Sequence, residues 1–282
     1  MNRYIALLSL LFCASVQAQT VVDVRSFGAI ANDGVPDTPA FIAAMSGGGR
    51  TVNVPVGEYL VGKFEIPSNT TLQLETGTVL RDTGLLLATE PLITIRSENV
   101  RINTFGAAVL ANRATYTTGE FRHGVFIFGA RNVTITGLES SQHGGDGFYI
   151  GGGSVGVNIS SCRGTNNRRQ GMSIVSVRDL KVTSCIFNET AGTRPSLGID
   201  IEPNNNADIL QNIEIRSVRT IHNAGGGISV GLSAFTAAAA PVSITIIDHT
   251  STNESPVFVT SSLRALDFVS YRRSTCLAPC TR

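Results

Sequence analysis

The chain has 282 residues, with 22 Lys and Arg against 21 Asp and Glu, for a formal charge of +1. That balance leaves no basic face for nucleic acid or an anionic membrane surface, and no apolar run beyond residue 18 reaches the length of a membrane-spanning helix. Twenty-nine glycines, no tryptophan, 15% charged residues and many short segments rich in Val, Ile and Thr indicate an all-β protein with frequent tight turns.

Residues 1–18 read as a signal peptide: Arg3 precedes the apolar run "IALLSLLFCASV", and "VQA" leads to a cut after Ala18. Cys13 follows the bulky Phe12, a poor lipoprotein signal, so the mature chain is expected to be secreted or periplasmic. Residues 19–282 contain no Pro/Ser-rich or charge-run linker and are expected to form a single domain. Within them, "DTPAFIAAM" predicts a short helix at about residues 37–46. Asp37 or Thr38 would cap it, Pro39 suits its first position, and Phe41, Ile42 and Met45 would form one apolar face.

Further along, "HGVFIFGARNVTITG", "DGFYIGGGSVGVNISSC", "QGMSIVSVRDLKVTSC", "LGIDIEPNNNADILQNIEI" and "GGISVGLSAFTAAAAPVSITI" follow one plan: Gly, a short alternating strand, a turn and a second alternating strand. Gly124, Gly147, Gly171, Gly198 and Gly227 mark the repeats at spacings of 23, 24, 27 and 29 residues, a solenoid signature. Period-two alternation turns Val133 and Ile135, Val157 and Ile159, and Leu180 and Val182 inward, stacked about 4.8 Å apart. Cys162 and Cys185 fall at equivalent positions and are expected as an inward stack of small apolar groups, with a disulfide as the alternative. "TTLQLETG" and "NVRINTFG" extend the pattern toward the amino terminus, giving roughly eight or nine coils. A solenoid needs both ends covered. The predicted helix serves one end, within a cap of about residues 21–62, and about residues 250–282 serve the other, where "CLAPC" allows a Cys276–Cys280 disulfide.

The segment "VVDVRSFGAIANDGVPDTPAFIAAMSGGGRTVNVPVGEYLVG", residues 21–62, resembles the amino-terminal signature of the rhamnogalacturonase/epimerase-like branch of the pectate lyase superfamily. The resemblance implies a right-handed parallel β-helix. With the leader-like segment, it leads to the expectation of an exported enzyme acting on an acidic, uronate-containing polysaccharide or oligosaccharide.

Stacking the Gly-led strands places Phe126, Tyr149, Ser173, Asp200 and Ser229 in one outward column, and Phe128, Gly151, Val175, Glu202 and Gly231 in the next. The column just before holds His123, Asp146, Gln170, Leu197 and Gly226, with His143, Arg168 and Arg169 on the loops leading in. This layout resembles that of polygalacturonases, whose "NTDGIDI", "DDCIAI" and "GHGISIG" strands supply catalytic acids and a histidine. Only the first acid has a counterpart, Asp146 in "GGDGFYI". Arg169 and Gln170 replace the paired aspartates, and Leu197 replaces the histidine.

Asp146, Arg169, Asp200 and Glu202 are therefore the candidate catalytic residues, and His143, Tyr149, Arg168 and Gln170 the candidate substrate-binding ones. Two residues apart on a strand, Asp200 and Glu202 could meet either spacing used in glycoside hydrolysis. Elimination instead needs the uronate carboxylate neutralised and a base for the C5 proton. It is narrowly favoured here because arginines replace aspartates. The resemblance to β-helix pectate lyases allows Arg169 as base and calcium held by Asp200 and Glu202; C5-epimerisation is a further reading. The four histidines show no HxH or HExxH spacing, which argues against zinc.

The bland alternatives are concrete. Asp200 and Glu202 can be solvated outward residues, the arginines can bind loop carbonyls, and Asp146 can be a turn residue. A non-catalytic carbohydrate-binding solenoid would use the same face without close acids. The insertions at residues 187–197 and 203–212 are expected to wall a cleft.

Overall fold

The computed structural model describes residues 19–252, 254–259 and 264–277. The leader-like residues 1–18 and the expected disulfide partner Cys280 lie outside the described residues.

Alternating Val and Ile segments form parallel strands arranged in three sheets of ten, eight and nine strands among the described residues. Each circuit of the chain lays one strand on each sheet. Val125–Phe128, Arg131–Thr136 and Glu139–Ser141 make one coil, and Phe148–Gly151, Ser154–Ser160 and Arg163–Thr165 make the next, paired strand on strand. The protein is an all-β parallel solenoid.

The expected inward stacks are present. Val133, Val157, Leu180, Ile213 and Ile244 are partners across five coils, as are Ile135, Ile159, Val182, Ile215 and Ile246, and all are buried. The chain turns sharply after these strands through one left-handed residue, at Gly137, Ser161 and Ser184 (φ 73°, 55° and 55°). At Gly137 a Cβ would come within 2.1 Å of the Thr104 carbonyl oxygen, which leaves room for glycine alone. The following residues point inward, so Cys162 and Cys185 stack as buried free thiols, with the Cys162 N–H 3.4 Å from Cys185 Sγ. On the outside, Asn69, Asn99 and Asn132 share a left-handed turn position and link coil to coil through Nδ2 to Oδ1 hydrogen bonds of 2.8 and 2.7 Å.

The two-strand repeat plan missed the third sheet. From Ala108–Leu110 onward its strands are three residues long, as in Glu139–Ser141, Arg163–Thr165 and Ile186–Asn188. Their inward column runs Ser140, Gly164, Phe187 and Thr220, so no apolar alternation announces them.

The capping helix is Thr38–Met45. Phe41 and Met45 are buried as expected, with Phe41 edge-on to Tyr59 at 5.7 Å, but Ile42 is exposed. The expected apolar face including Ile42 is therefore corrected to Phe41, Met45 and the small Ala40 and Ala44. Asp37 makes no side-chain cap to this helix; its carboxylate accepts the Ile30 and Leu60 N–H groups at 2.9 and 3.2 Å. Toward the other end, Thr250–Thr252, Val257–Val259, Phe268–Arg272 and Thr275–Leu277 continue the three sheets within the expected cap of about residues 250–282.

The inward register carries a direct test. Ile159→Asp buries an unpaired charge at a cost of several kcal/mol, set against a total stability of about 5–15 kcal/mol. Circular dichroism should show loss of the cooperative thermal transition, whereas a native-like melt would contradict the stack.

Candidate active site

The eight-stranded sheet carries the site on its outer face. Its pairing aligns Phe126, Tyr149, Ser173, Asp200 and Ser229 in one column, as the Gly-led register predicts. Leu197–Ile201 is the strand that delivers Asp200, and Glu202 follows it. The column is not open to water: Asp200 is only 5% exposed, which corrects the reading of a freely solvated acid.

Two layers of side chains account for this burial. Gln170, itself fully buried, donates from Nε2 to Asp200 Oδ2 at 2.9 Å and accepts the Leu197 N–H on Oε1 at 2.7 Å, which locks its amide orientation. Asp146 is wholly buried beside it. Arg169 Nη1 lies 3.3 Å from Asp146 Oδ2, and Ser173 Oγ donates to the same oxygen at 2.8 Å. His123 Nδ1 approaches that oxygen at 3.3 Å, yet this contact is not an ion pair. Burial pushes the imidazole down to about 3, and Nδ1 is already the acceptor for the Asp146 N–H at 3.0 Å.

These surroundings set the charges. Burial pushes Asp200 up to about 7, and the adjacent Glu202 charge adds to the rise while Arg169 opposes it. Asp146 is raised to about 6 by burial, with Arg169 pulling the other way. For Arg169 itself, burial favours loss of the proton, but the Asp146, Glu120 and Asp200 charges outweigh it and hold the guanidinium above its ordinary value. Arg169 Nε also lies 3.3 Å from Glu120 Oε2.

A cavity of about 190 Å³ opens over this group, bounded by Asp200, Glu202, Arg169, Ser173, Tyr149 and Phe121. Tyr149 stacks at 4.9 Å on both His123 and Phe126, so its ring has a fixed orientation beside the acids. The wall formed by Glu120 and Phe121 was not read from the sequence. Its signal was the long interval between the strands Ala108–Leu110 and Val125–Phe128. Of the two expected wall insertions, 203–212 contributes Asn204, whereas 187–197 borders a different pocket through Gly192.

The structure thus brings Tyr149, Arg169, Asp200 and Glu202 together at the cavity, with Asp146 and Gln170 directly behind them. Two candidates lie elsewhere. His143 is fully buried, its Nε2 3.1 Å from the Val109 carbonyl oxygen and its backbone N–H on Asn167 Oδ1. Arg168 points away from the acids and donates to the carbonyls of Thr117, Gly119 and Gly144. A calcium site does not fit these donors. Calcium takes six to eight oxygens, the expected ligand Asp200 already accepts from Gln170 on Oδ2, and among the described residues no group of three or more His, Cys, Asp or Glu is placed to hold a metal.

Residues 83–240, more than half of the chain, match the family described as the right handed beta helix region. The chain belongs to this family. The matched segment begins after residues 21–62, whose resemblance to a narrower branch rests on the sequence alone. The Bacillus subtilis (strain 168) relative of this β-helix, the uncharacterized protein YclG, is 23% identical over 257 residues, covering 75% of this chain and 44% of the relative. The chain therefore spans less than half the length of that curated relative. Among solved structures, the Dettilon tailspike protein has a TM-score of 0.67 at 17% identity, over 89% of this chain and 49% of that one. Polygalacturonase from Erwinia carotovora ssp. carotovora has 0.67 at 12% identity, over 92% and 76%. An iota-carrageenase complexed to iota-carrageenan fragments has 0.67 at 16% identity, over 87% and 58%. At these identities the likeness is one of fold alone. No helix among the described residues is long and apolar enough to cross a membrane.

Because Arg169 is the counter-charge of a fully buried carboxylate, its removal is a stability experiment. Arg169→Gln should cost about 3 kcal/mol at pH 8, where Asp146 is ionised. The cost should shrink at pH 5, below the Asp146 pKa of about 6, because the carboxyl is then neutral. Denaturant melts at the two pH values check this.

Proposed function

We propose that the chain is an exported polysaccharide hydrolase in which Asp200 is the proton donor and Glu202 the second carboxylate. The observation that carries this reading is a buried acid with its pKa near 7, hydrogen-bonded by Gln170, beside another carboxylate in a cleft. Glycoside hydrolysis asks for one protonated and one ionised carboxyl; here Asp200 and Glu202 share a hydrogen bond that keeps a proton between them, and a bound sugar has to part them. A protonated Asp200 gives its proton to the glycosidic oxygen as the C–O bond breaks. Glu202 stabilises the positive charge that develops on the sugar ring and directs water to the anomeric carbon. Tyr149 lines the cleft beside the acids, where its exposed edge can contact a bound sugar. Export rests on the leader-like residues 1–18.

Elimination, the narrow preference from sequence, is less well supported. Its base would be Arg169, which its acidic neighbours keep protonated. Its other requirement is a free cation for the uronate carboxylate. Arg169 is already balanced by Asp146, and Glu120, Asp200 and Glu202 border the same cavity. The reacting ring is therefore assigned as an uncharged sugar.

Incubation with a panel of neutral and acidic polysaccharides should release reducing ends without the ultraviolet absorbance of unsaturated products. Asp200→Asn should lower kcat by about 10²–10⁴-fold, and wild-type kcat should fall as pH rises through about 7, as Asp200 loses its proton. Unsaturated products, or full turnover by Asp200→Asn, would contradict the assignment.

A further inference from the structure

The wall loop between Leu110 and Val125 separates two cavities of opposite character. On its inner side, Glu120 and Phe121 face the acids. On its outer side lies a cavity of about 520 Å³ lined by Asn112, Arg113, Thr117, Gln142, Asn166 and Arg168, among others, with no carboxylate in its lining. Arg168 and Arg169 are chain neighbours that diverge, one into each cavity. We infer that the outer pocket binds the anionic group of an acidic saccharide, apart from the place where a bond is cleaved.

Three features support the assignment. First, neither Arg113 nor Arg168 has an ion pair among the described residues, in contrast to Arg169. The nearest acid in the same column, Glu189, stands one coil beyond Asn166 and does not line the pocket. Second, Arg168 is fixed before any ligand arrives: its Nη2 donates to the Thr117 carbonyl at 2.7 Å, and its Nη1 donates to the Gly119 and Gly144 carbonyls. Arg113 is steadied by a hydrogen bond from Nη1 to Asn166 Oδ1. A held guanidinium loses little freedom on binding, and its planar fork matches a carboxylate or a sulfate ester. Third, the remaining lining offers amide and hydroxyl groups suited to sugar hydroxyls, in Asn112, Gln142, Asn166 and Thr117. Carboxylate and sulfate share the chemistry recognised here, and the probes below separate them.

Arg113→Gln is the clean variant, because Arg168 also holds the wall loop together. Affinity electrophoresis at low salt through gels containing polygalacturonate, dextran sulfate or dextran reads the binding. Wild type should be retarded by at least one of the two anionic polymers and not by dextran; the polymer that retards it identifies carboxylate or sulfate as the preferred group. Arg113→Gln should weaken that retardation about tenfold with an unchanged melting temperature. Arg131→Gln, at an exposed arginine on a different sheet, should bind as wild type, and so should Asp200→Asn, which separates this site from the catalytic assignment. Equal retardation by dextran, no retardation by either anionic polymer, wild-type binding by Arg113→Gln, or an equal loss in Arg131→Gln would overturn the inference.

Discussion

Parallel hydrogen bonding between successive coils fixes where every side chain of this molecule can point. Once Val133 lies under Val157 and Leu180, the alternation of the strand dictates the inward stack, and the same ladder on another sheet dictates that Tyr149, Ser173 and Asp200 share an outward column. A one-residue slip in either strand would exchange core for solvent. The site is therefore a product of the stacking, assembled from residues up to about 80 positions apart in the chain and held at strand spacing.

Within that frame, burial of the Asp146 and Asp200 carboxyls on the sheet face makes charge expensive. The molecule answers in two ways. Asp146 receives a counter-ion, Arg169, together with the Ser173 hydroxyl, and both become fixed parts of the sheet face. Asp200 receives a neutral partner, Gln170, and a neighbouring negative charge, Glu202, which leaves protonation as the favourable way to lower its energy near neutral pH. The same physics that costs stability at Asp200 supplies an acid able to give up a proton at a useful pH. Structure and chemistry are divided between two buried aspartates two coils apart, with Gln170 and Ser173 on the coil between them.

The alternating strands and the acid pair were legible in the sequence for related reasons. Val and Ile at every second position can satisfy only one-sided burial. Asp200 and Glu202 stood out because their two neighbouring columns are otherwise Gly, Ser, Phe, Tyr and Val. The third sheet was not legible, since three-residue strands with Ser140, Gly164 and Phe187 at the inward position carry no period. Arg168 and Arg169 illustrate a second limit. Consecutive residues project to different sides, and which side faces the cleft depends on a wall loop some 50 residues earlier in the chain. His143 illustrates a third: the corner between the third sheet and the Gly-led strands has a polar interior, where the Val109 carbonyl meets the ring Nε2 and Asn167 the backbone N–H of a histidine that sequence placed on a loop leading to the site.

The central claim is that Asp200 still holds its proton about half the time at neutral pH, while its column of neighbours stays folded. Carbon-13 NMR of the aspartate side-chain carboxyls, with Asp200→Asn used to assign the resonance, measures this directly. The account predicts a titration midpoint for Asp200 near 7; a midpoint near the ordinary aspartate value of about 4 would contradict it.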